Sequence, residues 1–144
     1  MESFEKKLEV RWSDLDPNFH MLHSKYYDVG AYCRMSFLVD QGLTPQLMKD
    51  HHFGLILFRE ECIFKREINF GDALKINLLL SKRTADYGRW SMYHEIWKND
   101  YTLAAVIHVD GAWIDTAKRK LTKPPVFIQT VFDNAPLSKE FIIS

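Results

Sequence analysis

Cysteine is scarce in this chain: Cys33 and Cys62 are the only two in 144 residues. They are too few and too isolated to build a disulfide framework or a zinc site. No apolar run approaches the 18 residues of a membrane span, and the opening MESFEKKLEV is charged where a secretory leader would be apolar. These absences predict a cytoplasmic protein with no membrane partner. An excess of charge is missing too. Nineteen basic side chains cancel nineteen acidic ones, so no global positive field favours a nucleic acid. Repeats, low-complexity tracts and linkers are absent, and residues 1–144 are predicted to form one domain. No Gly-x-Ser-x-Gly elbow is present, which excludes one common serine-hydrolase arrangement.

What the chain does have is apolar bulk: 47% hydrophobic residues and ten phenylalanines, enough for a packed core. Residues 4–12 read as a first strand, with Phe4, Leu8, Val10 and Trp12 roughly alternating. Tyr26 to Gln41 reads as a helix. Tyr26, Val29, Cys33 and Phe37 form one stripe, and Tyr27, Ala31, Met35 and Leu38 a second. A helix apolar over so much of its circumference must be wrapped. Four strand-like segments follow, at 54–67, 72–83, 89–98 and 102–115, rich in aromatic and branched residues. A short helix is expected after Pro125. One long helix and about five strands predict an α+β fold, an antiparallel sheet curved around a central helix.

The connection RWSDLDPNFHMLHSKYYDVG, residues 11–30, concentrates acid and imidazole just ahead of that helix. Asp14 reads as a turn former. Asp16 is the carboxylate set against the helix start, where unpaired amides and a partial positive charge suit a developing oxyanion. An aspartate is ionised near neutrality, so it has two ways to cleave a thioester. It attacks the carbonyl to give a mixed anhydride, or it deprotonates a water; the residues leave both open. A thiolate departs without a strong acid. His20 serves to position Asp16 or the substrate, or as a loop brace. Tyr26, Tyr27, Phe53 and Phe58 are candidate walls of an apolar slot. His20 and His23 with Asp14 and Asp16 are a weaker alternative, a metal site. The adopted reading has neither metal nor cofactor. Lys82, Arg83 and Arg89, and Lys118, Arg119, Lys120 and Lys123, are candidate phosphate contacts.

The run RWSDLDPNFHMLHSKYYDVGAYCR resembles the opening signature of hotdog-fold thioesterases of the 4-hydroxybenzoyl-CoA thioesterase type. INFGDALKINLLL and WKNDYTLAAVIHVDGAWIDTAKRKLTKPP resemble later segments of the same family in the same order. The resemblance implies a hotdog fold and hydrolysis of an acyl-CoA or acyl carrier protein thioester. It implies that Asp16 is the catalytic carboxylate and that a backbone amide near His23 polarises the carbonyl, with His20, Ser24, Tyr26 and Tyr27 contacting substrate. It further implies a homodimer or homotetramer joined through exposed sheet edges. Two departures stand out. Phe19 replaces a common glycine, and His23–Ser24 an Asn-Asn pair. Phenylalanine avoids the positive φ that glycine permits, so a differently shaped turn is expected. The rival readings are a hotdog enoyl-CoA hydratase, suggested by Asp14-x-Asp16-Pro17 followed by His20, and a non-catalytic acyl-CoA binder.

Overall fold

The computed structural model describes residues 1–144. In chain order it contains β1 (Glu5–Leu8), a 3-10 turn (Trp12–Asp14), α1 (Lys25–Asp40), α2 (Pro45–Asp50), β2 (Phe53–Phe64), β3 (Leu74–Asn77) and β4 (Leu79–Arg83). Then come β5 (Arg89–Lys98), β6 (Thr102–Asp115), β7 (Lys120–Leu121), α3 (Val126–Asn134) and β8 (Leu137–Ile143). No helix is long and apolar enough to cross a membrane.

The sheet is built on the long hairpin of β5 and β6. Asn99 and Asp100 turn it, both at positive φ, which asparagine and aspartate tolerate better than most side chains. β2 pairs antiparallel with β6, while β3 and β4 lie end to end against β5. β1 extends the sheet beside β3, and β8 runs parallel to β4. Every other pairing is antiparallel. β2 therefore forms an edge, its only ladder partner being β6.

The alternation read from the sequence holds on the inner face. Leu74, Ile76, Leu78 and Leu80 are buried, as are Trp90, Met92, His94 and Ile96. α1 lies against this face, with the Phe4 and Phe37 rings edge to face at 5.3 Å. Phe37 and Leu38 are fully enclosed, worth about 1.5–3 kcal/mol each. The fold is the expected α+β one, a curled antiparallel sheet around a central helix.

Several details differ from expectation. The first strand is short, and Trp12 is 72% exposed. The second stripe of α1 is only half used: Leu38 is buried, but Ala31 and Met35 face outward, and Arg34 is buried instead. The segment 72–83 divides at Leu78 because Asn77 spends its carbonyl on side chains. Cys33 Sγ and His94 Nδ1 approach that oxygen at 3.5 and 2.8 Å. Leu78 N–H turns instead to Phe4 O at 3.2 Å. The helix after Pro125 is present; α2, β7 and β8 are additions.

Candidate functional site

The loop ahead of α1 is closed on itself. Asp16 Oδ1 accepts the backbone N–H of Asn18 at 2.9 Å and that of His20 at 3.1 Å. The Asp16 N–H donates to His20 O at 2.8 Å, and the Phe19 N–H to Asp16 O at 2.9 Å. One carboxylate oxygen thus shapes the turn, and Oδ2 has no protein hydrogen-bond partner. Phe19 sits at φ 68, in the left-handed region that its side chain disfavours. Its ring rests 6.3 Å from that of Trp12.

The same loop is stitched to the segment after β2. His20 bridges Asn69, and the Met21 N–H donates to Ile68 O at 2.8 Å. His20 Nε2 lies 3.0 Å from Glu67 Oε2. Its imidazole therefore braces Glu67, and only its backbone touches Asp16. Asp14 is a structural turn residue: the Arg11 amide and guanidinium donate to it at 2.9 to 3.2 Å. Those bonds hold its carboxyl below the usual carboxylate range.

Ser24 stands at the N-cap of α1 without a side-chain cap bond, so the amides of the first turn are not closed off by a hydroxyl. The Lys25 N–H donates to Leu22 O at 2.9 Å, while His23, just ahead of the turn, and Tyr26 within it border the cleft that holds Asp16. This hollow, about 360 Å³, is lined by Asp16, His20, Met21, His23, Tyr26, Phe64, Lys65, Arg66 and Glu67. Four of the six expected site residues meet here. Ser24 and Tyr27 do not line it. Tyr26 is buried edge to face against Phe64 at 4.8 Å, and burial pushes its hydroxyl up to about 12, which leaves it protonated near neutrality.

Phe53 and Phe58 are not walls of this cleft. Phe53 belongs to an aromatic cluster with His51, Trp113 and Phe127 at the far end of β2. Phe58 is the extra residue of a bulge, exposed beneath Arg89. Phe64, Lys65 and Arg66 take their place, residues read from sequence only as the end of a strand. The basic cluster Lys118–Lys120 follows Asp115, which pairs with Phe53. It therefore lies on the order of 30 Å along β2 from the cleft. No three histidine, cysteine, aspartate or glutamate side chains converge as metal ligands. A larger hollow, about 780 Å³, crosses the outer face of the sheet over Tyr93 and His108. Strands alone line it, with no helix terminus.

Residues 10–132 match the model of the thioesterase-like superfamily. The chain therefore belongs to that superfamily, and in class it is a hotdog-fold thioesterase. It is similar in structure to a hypothetical protein from Staphylococcus aureus solved in complex with CoA, at TM-score 0.86 and 21% identity, covering 99% of this chain and 88% of that one. It is also similar to a 1,4-dihydroxy-2-naphthoyl-CoA thioesterase from Synechocystis, at TM-score 0.82 and 22% identity, over 92% and 96% of the two chains. A DHNA-CoA thioesterase from Staphylococcus aureus gives TM-score 0.83 at 15% identity, over 92% and 90%. Among curated proteins, none matches the sequence.

Proposed function

We propose that the chain hydrolyses an acyl-CoA thioester in the cleft beside α1, with Asp16 as nucleophile or general base. One observation carries this reading: Asp16, with Oδ2 unengaged, shares a cleft with His23 and Tyr26 at the start of α1, where the Ser24 side chain makes no cap bond. A thioester carbonyl held at the first-turn amides, near His23, would direct its developing oxyanion at their N–H groups. Asp16 would then attack the carbon or take a proton from water. The thiolate leaves without a protein acid. Tyr26 and Phe64 would wall the acyl entrance. Lys65 and Arg66 at the rim would supply positive charge for phosphates.

The free edge of β2 supports a further step, self-association into a homodimer or homotetramer. Leu57, Phe58, Ile63 and Phe64 are exposed along it. Two-fold antiparallel pairing of β2 would set the partner's basic turn against the Phe64 end, adding cations to the cleft.

The test is release of free thiol from a panel of acyl-CoA esters by wild type and by Asp16→Asn. Turnover of at least one ester, reduced by roughly a hundredfold or more in the variant, is the expected result. Loss of crotonyl-CoA absorbance without thiol release would instead favour the hydratase. Tight acyl-CoA binding with no turnover of any ester would favour the binder.

A further inference from the structure

Four aromatic rings stand in solvent at the end of the molecule that carries the Asp16 cleft, each on a different turn. Trp12 is 72% exposed, Phe19 and Phe70 63% each, and Tyr101 89%. The turns are fastened to one another. The Trp12 and Phe19 rings lie 6.3 Å apart. His20 and Asn69 form an antiparallel bridge, so Phe19 and Phe70 are the next residues beyond it on either side. The Asn99 N–H donates to Ala73 O at 2.8 Å, and Asn99 Nδ2 to Asp72 Oδ1 at 3.2 Å. Those two bonds tie the turn of Phe70 to the turn that presents Tyr101.

Packing does not explain these rings. Phe19 holds φ 68, a conformation that costs a residue with a Cβ and that glycine adopts freely. Its ring recovers little of that cost while most of it faces water. Backbone strain of this kind persists where the residue has a task that a relaxed one cannot perform.

Cations lie beside the rings. A shallow hollow of about 590 Å³ is lined by Lys65, Arg66, Tyr101, Thr102 and Leu103. Arg66 Nη1 donates to Lys65 O at 2.7 Å, which keeps the two exposed cations side by side. The same two residues border the Asp16 cleft. An exposed tyrosine over a pair of cations suits the phosphate and glycerol region of a lipid.

We propose that Trp12, Phe19, Phe70 and Tyr101, with Lys65 and Arg66, seat this end of the chain on the surface of a phospholipid bilayer, the rings entering the interface and the cations meeting lipid phosphates. A protein partner is the poorer fit. Protein interfaces gather their aromatic anchors into one packed, desolvated centre. Here polar residues separate the rings: Asp14, Asn18, Asn69, Asp72, Asn99 and Asp100. A fluid bilayer takes separate rings without a matching shape, with tryptophan and tyrosine settling at headgroup level. The contact is peripheral; no helix is long and apolar enough to cross. Hydropathy read along the chain predicts no membrane partner because four rings from four turns leave no apolar run to register. The proposal does not rest on the thioesterase reading. If both hold, the cleft opens where acyl chains partition.

The test is flotation of the full chain with vesicles of equal parts phosphatidylcholine and phosphatidylglycerol. Wild type is expected to float with the vesicles. Its tryptophan emission is expected to shift to shorter wavelength and to be quenched by brominated lipid chains, since Trp90 and Trp113 are buried while Trp12 is exposed. Phe19→Gly is expected to cut vesicle affinity by about tenfold or more, as for losing one buried phenyl ring, with no loss of thermal stability. Trp12→Ser, on a separate turn, should weaken flotation as well. Wild type that stays with the buffer overturns the proposal. So does undiminished flotation of both variants. Self-association that Phe19→Gly abolishes, without vesicle binding by wild type, would assign the rings to a second copy of the chain and overturn it too. Thiol release enters none of these readouts, so loss of the thioesterase reading leaves the result standing.

Discussion

Asp16 Oδ1 accepts the backbone N–H of His20 at 3.1 Å, so one oxygen of the proposed catalytic carboxylate also holds its own loop in shape. The two duties separate by substitution. Asn retains an oxygen that accepts the Asn18 and His20 amides but has no negative charge. Asp16→Asn is therefore expected to unfold in urea within about 0.5 kcal/mol of wild type while hydrolysis collapses. Asp16→Ala loses the turn bonds as well and is expected to cost about 1 kcal/mol in the same titration.

Phe19 at φ 68 stores strain that its exposed ring does little to repay. Left-handed backbone costs an L residue roughly 1–2 kcal/mol, and glycine avoids this at the expense of about 0.5–1 kcal/mol of chain entropy. Phe19→Gly should accordingly be neutral to slightly stabilising by thermal melting. Phe19→Val, branched beside the backbone, should be less stable than wild type by over about 1 kcal/mol. Stabilisation by valine would contradict the strain.

His94 makes stability depend on pH. Burial holds its imidazole neutral, with the pKa lowered from 6.5 to about 3 and the Arg34 charge acting in the same direction. In the unfolded chain the ring protonates near pH 6.5. Its favourable contribution is thus complete above pH 6.5, declines as pH falls towards 3, and levels off below. Over that window unfolding takes up close to one extra proton, a slope of up to about 1.4 kcal/mol per pH unit. Urea titrations at several pH values should show it, with a shallower slope in His94→Asn. The Asp14 carboxyl, held low by Arg11, adds a loss of the same sign at more acid pH.

Gly111 in β6 is a packing requirement. A Cβ there would fall 2.4 Å from Trp90 Cζ2 and 2.5 Å from the Ile56 carbonyl oxygen. The indole is fully enclosed and the other atom is backbone, so neither has a cheap retreat. Gly111→Ala is expected to cost roughly 1–3 kcal/mol in denaturant unfolding.

What was legible in the sequence follows the reach of each interaction. α1 and the long strands announce themselves through local period, and the Asp16–Tyr26 half of the cleft is contiguous in the chain. Its other wall, Phe64 to Glu67, arrives some forty residues later through the Met21–Ile68 hydrogen bond, a tertiary event with no local signature. β8 hides for a related reason. Its burial pattern lacks alternation, and it pairs in parallel with a strand more than fifty residues away. Arg34 reads as a polar break in an apolar helix. Only the opposing His94 and Glu60, from two different strands, reveal why it is buried.

The edge of β2 gives the last prediction. A long strand with an unpaired outer edge and exposed Leu57, Ile63 and Phe64 is a surface that solution proteins normally cover. A lysine in such an edge opposes pairing with a second copy, because its charge would have to be buried between two strands. Ile63→Lys is expected to shift sedimentation velocity from dimer or larger towards monomer, with the circular dichroism of the fold retained. Because the partner's basic turn is proposed to complete the cleft, thiol release should fall with the dimer fraction and recover as protein concentration is raised. A wild-type chain that sediments as a monomer at assay concentration and still turns over would separate catalysis from the β2 edge and confine the working site to one chain.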